Sequence, residues 1–506
     1  MRMLPANRYP LAAIPCYNLT LRTAPMLKAD HPFSLILFGA SGHLARIKIF
    51  PALYFLALKK RLPDHYAIVG FSRTKMDDRA FREHVAAAVR EYVLEVNEKV
   101  LSSFLEHVSY HAGQYDSVSD FRALAEKLTL LEDGATDLVR LAYLSIPPSA
   151  FAATLENLCA AGVHESKHAF RCILEKPVGH DLSSFEALHE KLSSCFRPEE
   201  IYLLDHYLGK EAVRNVYYLR HANPVIEKLL RSSIIRSVQI TASESVGLEG
   251  RAGYFDAVGT LRDMFQSHLF QIVALLSMRL CNDTKEMKAA RLDAIRQLYL
   301  PPAKDLSEVV MQAQYGPGEI AGKKLLAYLD EDGVAKSSRT PTFVAMRLLS
   351  RSPSLDGVPV FLHSGKRLKT KETRIAIEFQ ESSVLAGKNG YSNRLDIILQ
   401  GEAGMKLYLQ TKLGGSEPKF RPLVMEDPLV CMGDCLVEHS LLLLEAIAGN
   451  QQWFLDPEEV RACWRITDPL QKYLDSKKTP LFTYESGSSG PKEADAFIGK
   501  FGERWL

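Results

Sequence analysis

The sequence lacks the features that mark fibrous, low-complexity and membrane proteins. Glycine contributes 30 and proline 25 of the 506 residues, too few for a collagen-like or low-complexity chain. No apolar run reaches the ~18 residues of a membrane span. The longest, residues 269–278, is followed by Arg279 and predicts a buried helix. The net charge is only +2, which excludes a global attraction to nucleic acid or to anionic membranes.

Cysteine is also scarce. Eight cysteines in 506 residues are too few for a disulfide framework. Cys431 and Cys435 form a C-x3-C pair, but the sequence has no second pair of this kind, so support for a zinc site is weak. We therefore expect reduced thiols, no metal and a cytoplasmic protein.

What is present is typical of a large globular protein. Hydrophobic residues make up 47% and charged residues 24% of the chain, and a chain of this length usually forms two domains. Residues 1–29 contain basic residues and no acidic one. A transit peptide is one interpretation, but the segment has no serine. We expect residues 1–30 to form a poorly ordered N-terminal extension.

The first part of the chain alternates strands and helices. Short apolar runs predict strands at residues 34–38, 67–71, 138–145 and 171–174. Apolar residues at helical spacing predict helices at residues 44–59, 79–107, 118–131 and 150–163. This alternation is typical of an α/β domain, in which helices cover both faces of a parallel sheet.

Beyond residue 205 the hydrophobic pattern changes to period two. Strands of this kind are predicted at residues 234–243, 343–348, 374–379, 395–399 and 405–409. Helices are predicted at residues 208–220, 261–278 and 436–448. Alternating strands form antiparallel sheets with one covered face. Residues 205–506 are therefore expected to form a larger α+β domain with a mainly antiparallel sheet and flanking helices.

A glycine-containing turn follows the first predicted strand and opens a helix. Residues 39–45 read G-A-S-G-H-L-A. Glycines at such a turn let the backbone approach a pyrophosphate, whose charge then lies at a helix N-terminus. An ordinary tight turn is the alternative. We predict a Rossmann-type dinucleotide-binding domain at residues 31–204, with the candidate cofactor residues Gly39, Ser41, Gly42 and Leu44.

The end of the second predicted strand indicates which dinucleotide binds. An acidic residue there binds the ribose 2′-hydroxyl of NAD, whereas an arginine accommodates the 2′-phosphate of NADP. Here Arg73 follows the strand, and no acid occurs until Asp77. Arg73 can form a bidentate contact with a phosphate and stack on adenine. Lys48, in the first helix, could add positive charge, so the sequence favours NADP over NAD.

Three polar strings carry a family resemblance. E-K-P-V-G at residues 175–179 follows a predicted strand, and D-H-Y-L-G-K at residues 205–210 follows an apolar run. Residues 262–268 read R-D-M-F-Q-S-H. Together with the glycine-containing turn, in this order and spacing, these strings closely resemble the glucose-6-phosphate dehydrogenase family. The likeness runs from about residue 33 to the end of the chain and includes Gly365-Lys366.

The resemblance implies a catalytic pair and a phosphate site. His268 would be the general base that takes the proton of the sugar C1 hydroxyl, and Asp205 would hold its tautomer. His206, Tyr207 and Lys210 would bind the sugar phosphate. The chemistry is sound, because a neutral histidine suits a base near pH 7 and a phosphate dianion needs cations and donors.

The remaining implied residues surround the sugar. Lys176 would contact both substrate and cofactor, Glu244 and Asp263 would hold sugar hydroxyls, and Lys366 and Lys371 would complete the substrate site. From the residues alone, a structural core histidine at position 268 is an open alternative. In an α-helix, positions 263 and 268 would also lie about 140° apart and need not share a face.

The expected activity is oxidation of glucose 6-phosphate to 6-phosphogluconolactone with reduction of NADP, the first step of the oxidative pentose phosphate pathway. The resemblance also implies a homodimer or homotetramer, with the antiparallel sheet building the dimer interface. We expect no nucleic-acid or membrane partner.

The sequence departs from the family pattern in places. His43 replaces a usual aspartate, Ser267 replaces an asparagine, and residues 224–231 lack the usual P-x-W-N stretch. These departures motivate two alternatives: a non-catalytic NADP-binding homologue, and a dehydrogenase with another phosphorylated sugar or with dual use of NAD and NADP.

Overall fold

The computed structural model describes residues 27–165, 169–381, 392–416, 419–429 and 435–506. They form two compact units. The first comprises the chain up to residue 179 with residues 183–209 and 435–455, and the second comprises residues 180–182, 210–434 and 456–506. Residues 1–26 of the expected extension lie outside the described residues. The domain division at residues 31–204 and 205–506 stays a prediction.

The first unit is built from alternating strands and helices. Its strands are β1 (Phe33–Phe38), β2 (Tyr66–Ser72), β3 (Val108–Ala112), β4 (Val139–Leu144), β5 (Ala169–Leu174) and β6 (Ile201–Leu203). Its helices up to β6 are α1 (Phe50–Leu58), α2 (Asp78–Tyr92), α3 (Glu98–Glu106), α4 (Val118–Leu131), α5 (Phe151–Ala160) and α6 (Leu182–Ser193). A π-helical turn, Ala45–Ile49, leads into α1.

The strands of the first unit form one parallel sheet in the order β3-β2-β1-β4-β5-β6. Every residue of β1 and β4 is buried, as expected for strands covered on both faces. Phe38, the last residue of β1, pairs with Phe71 of β2 and Leu144 of β4. The predicted Rossmann-type parallel sheet is confirmed.

One predicted helix of the first unit is wrong in its extent. Residues 79–107 form two helices, because Val93 adopts an extended conformation and ends α2. Asn97 then starts α3, since its side chain accepts a 3.1 Å hydrogen bond from the Val100 amide. Its own amide donates to the Tyr54 hydroxyl on α1. Strand β3, which follows α3, was not predicted.

The second unit contains a larger sheet. Its strands are β7 (Ile235–Ser243), β8 (Leu298–Tyr299), β9 (Val310–Ile320), β10 (Lys323–Leu325), β11 (Phe343–Ser350), β12 (Val360–Gly365), β13 (Glu372–Phe379), β14 (Arg394–Gln400), β15 (Gly404–Lys412), β16 (Phe420–Pro428) and β17 (Leu481–Ser486). Its helices up to β8 are α7 (Glu211–Ala222), α8 (Pro224–Leu229), α9 (Ala252–Thr260), α10 (Phe270–Ser277) and α11 (Met287–Arg296). The remaining helices of the chain are α12 (Glu438–Ala448), α13 (Pro457–Asp475) and α14 (Lys492–Gly499).

This sheet runs in the order β10-β9-β11-β12-β7-β13-β14-β15-β16, with β17 beside β9 and β8 beside β11. Its pairs are antiparallel except for β7 with β12 and β9 with β17. The mainly antiparallel sheet is therefore confirmed. Strand β17, which ends with Glu485 and Ser486, pairs with β9, a strand remote in sequence.

Helix α12 packs in the first unit although it follows the large sheet in the chain. The Ser440 hydroxyl on α12 donates a 3.0 Å hydrogen bond to the Ala52 carbonyl on α1. Among the described residues, no helix combines the length and the apolar character required to cross a membrane.

The expectation of reduced thiols is wrong for Cys159 and Cys195, and Cys435 is disulfide-bonded as well. Cys159 and Cys195 form a disulfide, although they are 36 residues apart. The fold brings together the end of α5 and the residues after α6, and no local pattern in the sequence reveals that approach. Cys172, Cys281 and Cys463 are buried and take part in no disulfide among the described residues. Cys431, the first cysteine of the C-x3-C motif, lies outside the described residues.

Candidate active site

The glycine turn occupies the point where the order of the parallel sheet reverses. Gly39 follows β1 with φ +79°, a conformation that favours glycine. A Cβ atom at this position would lie 2.1 Å from the Ser145 carbonyl oxygen, just after β4. Gly42 donates a 2.8 Å hydrogen bond back to the Gly39 carbonyl, and Leu44 precedes the π-helical turn. Backbone therefore lines the place where a dinucleotide pyrophosphate binds in this fold.

Hydroxyl groups join the glycine turn to the end of β2. The Ser41 hydroxyl lies 2.8 Å from the Ser72 hydroxyl and 3.0 Å from the Thr74 hydroxyl. The Arg73 guanidinium lies 5.6 Å from the centre of the Tyr115 ring. Arg73 and Thr74 are exposed, so a cation and hydroxyl donors are available to a phosphate. The sequence pointed to Arg73 but not to Thr74 or Tyr115. Thr74 is the neighbour of Arg73 in the sequence, whereas no sequence motif marks Tyr115.

A buried polar network supports the E-K-P string after β5. The Tyr143 hydroxyl donates a 2.5 Å hydrogen bond to Glu175, and His439 Nε2 lies 3.6 Å from the same carboxylate oxygen. Lys176 follows, half-buried, and its peptide bond to Pro177 is cis. His439 comes from α12, far along the chain, and no sequence pattern had singled it out.

The same helix carries the partner of Lys48. Lys48 Nζ donates a 3.1 Å hydrogen bond to Glu438, a residue 390 positions away. His439 Nδ1 lies 3.9 Å from the same Glu438 oxygen. The positive charge predicted for the cofactor site is thus balanced by an acid on α12, and the network reaches from Tyr143 to Lys48.

The D-H-Y-L-G-K string begins in the first unit and ends in the second. Asp205 is fully buried, and its carboxylate accepts a 2.9 Å hydrogen bond from the Tyr207 amide. The His206 ring stacks near the His439 ring with a centroid distance of 6.5 Å. Lys210 opens α7 in the second unit, where its ammonium group lies 3.3 Å from the Gln400 side-chain oxygen.

A π-helical segment carries the predicted base in the second unit. Residues Leu261–Leu269 form this segment, and His268 within it is only 2% exposed. The α-helical expectation that positions 263 and 268 diverge is wrong, because i→i+5 bonding places residues five apart about one turn above each other. Gly259, with φ +71°, breaks the helical path just before the segment. Asp263 is half-buried on this segment.

An ion pair links two further predicted residues. Glu244 follows β7 and Lys366 follows β12, and these neighbouring parallel strands end side by side. The Lys366 ammonium group donates to the Glu244 carboxylate. Lys366 is 7% exposed and also lies 5.0 Å from the centre of the Phe255 ring. Lys371 is exposed just before β13.

Sequence comparisons place the chain with known proteins. Residues 36–215 match the family model of the glucose-6-phosphate dehydrogenase NAD binding domain, and residues 217–506 match that of the C-terminal domain. The chain is 34% identical to the glucose-6-phosphate 1-dehydrogenase of Bacillus subtilis, covering 93% of this chain and 97% of that protein. It is 34% identical to that of Schizosaccharomyces pombe, covering 93% and 94%.

Solved structures agree with the sequence relatives. A glucose-6-phosphate dehydrogenase in complex with its substrate glucose 6-phosphate superposes with a TM-score of 0.86 at 29% identity, covering 94% of this chain and 99% of that chain. The Mycobacterium avium glucose-6-phosphate 1-dehydrogenase gives a TM-score of 0.79 at 29% identity, with the same coverage. Because both family models and full-length relatives match, the chain belongs to the glucose-6-phosphate dehydrogenase family.

Proposed function

We propose that this protein oxidises the C1 hydroxyl of glucose 6-phosphate to 6-phosphogluconolactone with NADP, opening the oxidative pentose phosphate pathway. The observation that carries the proposal is the match of residues 36–506 to both domains of the family. A related solved structure in complex with glucose 6-phosphate supports the choice of sugar.

His268 is the proposed general base. It takes the proton from the C1 hydroxyl as hydride leaves the same carbon. Asp205 is the proposed partner that holds the imidazole in the right tautomer and stabilises the imidazolium that forms. Burial of both side chains supports these roles, since it limits the access of water to the proton transfer.

The sugar phosphate is assigned to His206, Tyr207 and Lys210, which offer cationic and hydrogen-bonding groups close together in sequence. Glu244 and Asp263 are assigned to sugar hydroxyls, and Lys176, Lys366 and Lys371 to the rest of the substrate site. The phosphate is remote from C1, so its binding energy orients the reacting carbon. The ion pair between Lys366 and Glu244 supports their assignment, because it holds two polar groups ready at adjacent strand ends.

NADP is the proposed cofactor. The residues present fit a dinucleotide, because the turn at Gly39 has no room for a Cβ atom. Arg73, Thr74 and Ser41 would hold the 2′-phosphate, with Gly42, Leu44, Lys48 and Lys176 nearby in the fold's usual cofactor region. When bound, the nicotinamide supplies the hydride acceptor. The exposed guanidinium of Arg73 supports NADP over NAD.

We further propose a cytoplasmic homodimer or homotetramer. Strand β16 exposes a run of apolar side chains at Leu423, Val424 and Met425, a pattern typical of a surface that associates with another chain. The scarcity of cysteine, eight in 506 residues, supports a cytoplasmic location.

A spectrophotometric assay tests the function. Purified protein is mixed with glucose 6-phosphate and NADP, with NAD in parallel, and glucose without phosphate serves as the control. We expect rapid reduction of NADP that depends on the sugar phosphate. Folded protein that reduces neither cofactor would contradict the proposal, and faster turnover of another phosphorylated sugar would replace the substrate.

A further inference from the structure

Two cysteines and a histidine cluster at one edge of the first unit, in residues that the dehydrogenase reaction does not use. Cys159 is near the end of α5, His164 follows in the next turn, and Cys195 lies just after α6. The Cα atoms of the two cysteines are 6.1 Å apart. Their sulfur atoms and a ring nitrogen of His164 all lie within 4.8 Å of one another.

The surroundings hold the histidine ring in place. The rings of Phe170 and Phe196 meet the His164 ring edge-on, at 6.2 Å and 5.6 Å between centroids. Within the part of the chain that the structure describes, Nδ1 of His164 is buried and has no hydrogen-bond partner. Because buried polar atoms are normally satisfied, this nitrogen indicates a missing ligand. The Glu165 carboxylate lies 3.9 Å from Nε2 and adds negative charge.

Two thiolates and an imidazole are a donor set that zinc prefers. Zinc binds sulfur at about 2.3 Å and histidine nitrogen at about 2.0–2.1 Å, in tetrahedral geometry. Donor atoms within 4.8 Å of one another can converge on one such ion with little movement. Both cysteines are partly accessible to solvent, so an ion can reach them and water can fill the fourth position.

We propose that Cys159, His164 and Cys195 form a binding site for zinc or a similar thiophilic cation when the disulfide is reduced. The oxidised form, seen in the structure, is the state without metal. The site lies where the chain enters β5, at the end of the strand opposite to Glu175 and Lys176. Metal therefore stabilises the junction between α5 and α6 without touching the proposed catalytic residues.

The exchange between the two forms balances with a dithiol as reductant. Two electrons and two protons from the dithiol break the sulfur–sulfur bond and leave two thiols, while the dithiol closes into its own disulfide. Binding of a divalent cation then replaces the two thiol protons, which are released to solvent. The cytoplasm supplies dithiols of this class.

Cobalt titration tests the proposal. The chain is prepared with Cys431→Ser and Cys435→Ser, so that the second cysteine pair cannot supply ligands. It is reduced with a dithiol, desalted without oxygen and titrated with Co²⁺. We expect one cobalt per chain, with the sulfur-to-metal charge-transfer band of a tetrahedral thiolate site, and displacement by Zn²⁺. Protein left oxidised should show no such band.

Matched variants locate the ion. Cys159→Ser and Cys195→Ser should each lose the charge-transfer band, and His164→Gln should weaken cobalt binding. Cys281→Ser, which removes a free cysteine elsewhere, should leave the band intact. Dehydrogenase activity or a cooperative melting curve confirms that each variant is folded. Reduced protein without the band, or a folded Cys195→Ser variant that keeps it, overturns the proposal.

Discussion

The Tyr143 hydroxyl donates a 2.5 Å hydrogen bond to Glu175, the residue that directly precedes Lys176. Burial and the nearby carboxylate raise the pKa of Tyr143 well above its ordinary value. The phenol therefore stays protonated and remains a donor across the range in which the protein is folded. Since His439 approaches the same carboxylate from α12, the bond is one part of the network that holds the end of β5.

Replacing Tyr143 with phenylalanine should weaken this end of the sheet. Tyr143→Phe removes the donor and leaves the buried carboxylate with fewer partners, so we expect the free energy of unfolding to fall by about 1–3 kcal/mol. Urea denaturation measures the change. Tyr66→Phe is the control, because the Tyr66 ring stacks on Phe33 and His107. Equal losses in the two variants would show that the bond to Glu175 contributes nothing specific.

Arg73 should determine the choice between NADP and NAD. Arg73→Ala removes a charged donor to the 2′-phosphate, and such bonds are worth about 1.5–3 kcal/mol. We expect kcat/KM for NADP to fall by roughly 10–150-fold, with little change for NAD. Lys75→Ala removes a neighbouring exposed cation and should leave both values nearly unchanged. If Arg73→Ala lowers kcat/KM equally for NADP and for NAD, Arg73 binds a part of the cofactor that the two dinucleotides share.

The proposed base should affect turnover more than binding. His268→Asn keeps a polar side chain but cannot accept the proton, so we expect kcat to fall by about 10²–10⁴. The dissociation constant of glucose 6-phosphate, measured by calorimetry, should change little. His65→Asn, at an exposed position, provides the comparison. If the His268→Asn enzyme keeps the kcat of the parent, His268 is not the general base but a structural core histidine.

His363 should make stability depend on pH. It is 8% exposed on β12, and its Nε2 lies 2.9 Å from the Thr241 hydroxyl on β7. Burial, with a smaller contribution from the charge of Arg374, lowers the pKa of His363 to about 3. The unfolded chain takes up this proton near pH 6.5, whereas the folded protein resists it until much lower pH. The contribution of neutral His363 to the free energy of unfolding is therefore complete above about pH 6.5 and is lost as the pH falls toward 3.

A glutamine variant tests that linkage. His363→Gln keeps an amide that can bond to Thr241 but does not titrate. Between pH 7 and pH 5 we expect the unmodified protein to lose about 1–2 kcal/mol more unfolding free energy than this variant. His65→Gln, which changes an exposed histidine, should behave like the parent. Parallel losses in parent and His363→Gln would contradict the assigned pKa.

Much of the fold could be predicted because its signals are local. The apolar run ending at Gly39 predicted β1, and helical spacing predicted α4 with its observed bounds. The change to period-two alternation predicted β7 and the mainly antiparallel sheet. Strands β9, β12, β16 and β17 were not predicted, since their hydrogen bonds come from strands that only the completed sheet places beside them.

Part of the candidate site could also be predicted from local sequence, and part could not. The residue types around Gly39, Lys176, Asp205 and His268 stand in short strings, because each string supplies groups from one strand end or one helical turn, and short strings are readable in sequence. The identity of the family followed from those strings alone.

Tertiary structure decided the contacts that join distant segments. Glu438 and His439 approach Lys48 and Glu175 only because α12 packs in the first unit. Cys159 meets Cys195 only because α5 and α6 end at the same edge. Residues that are remote in sequence come into contact only when whole helices and strands pack together and close the loops between them. Local sequence propensities therefore cannot predict these contacts.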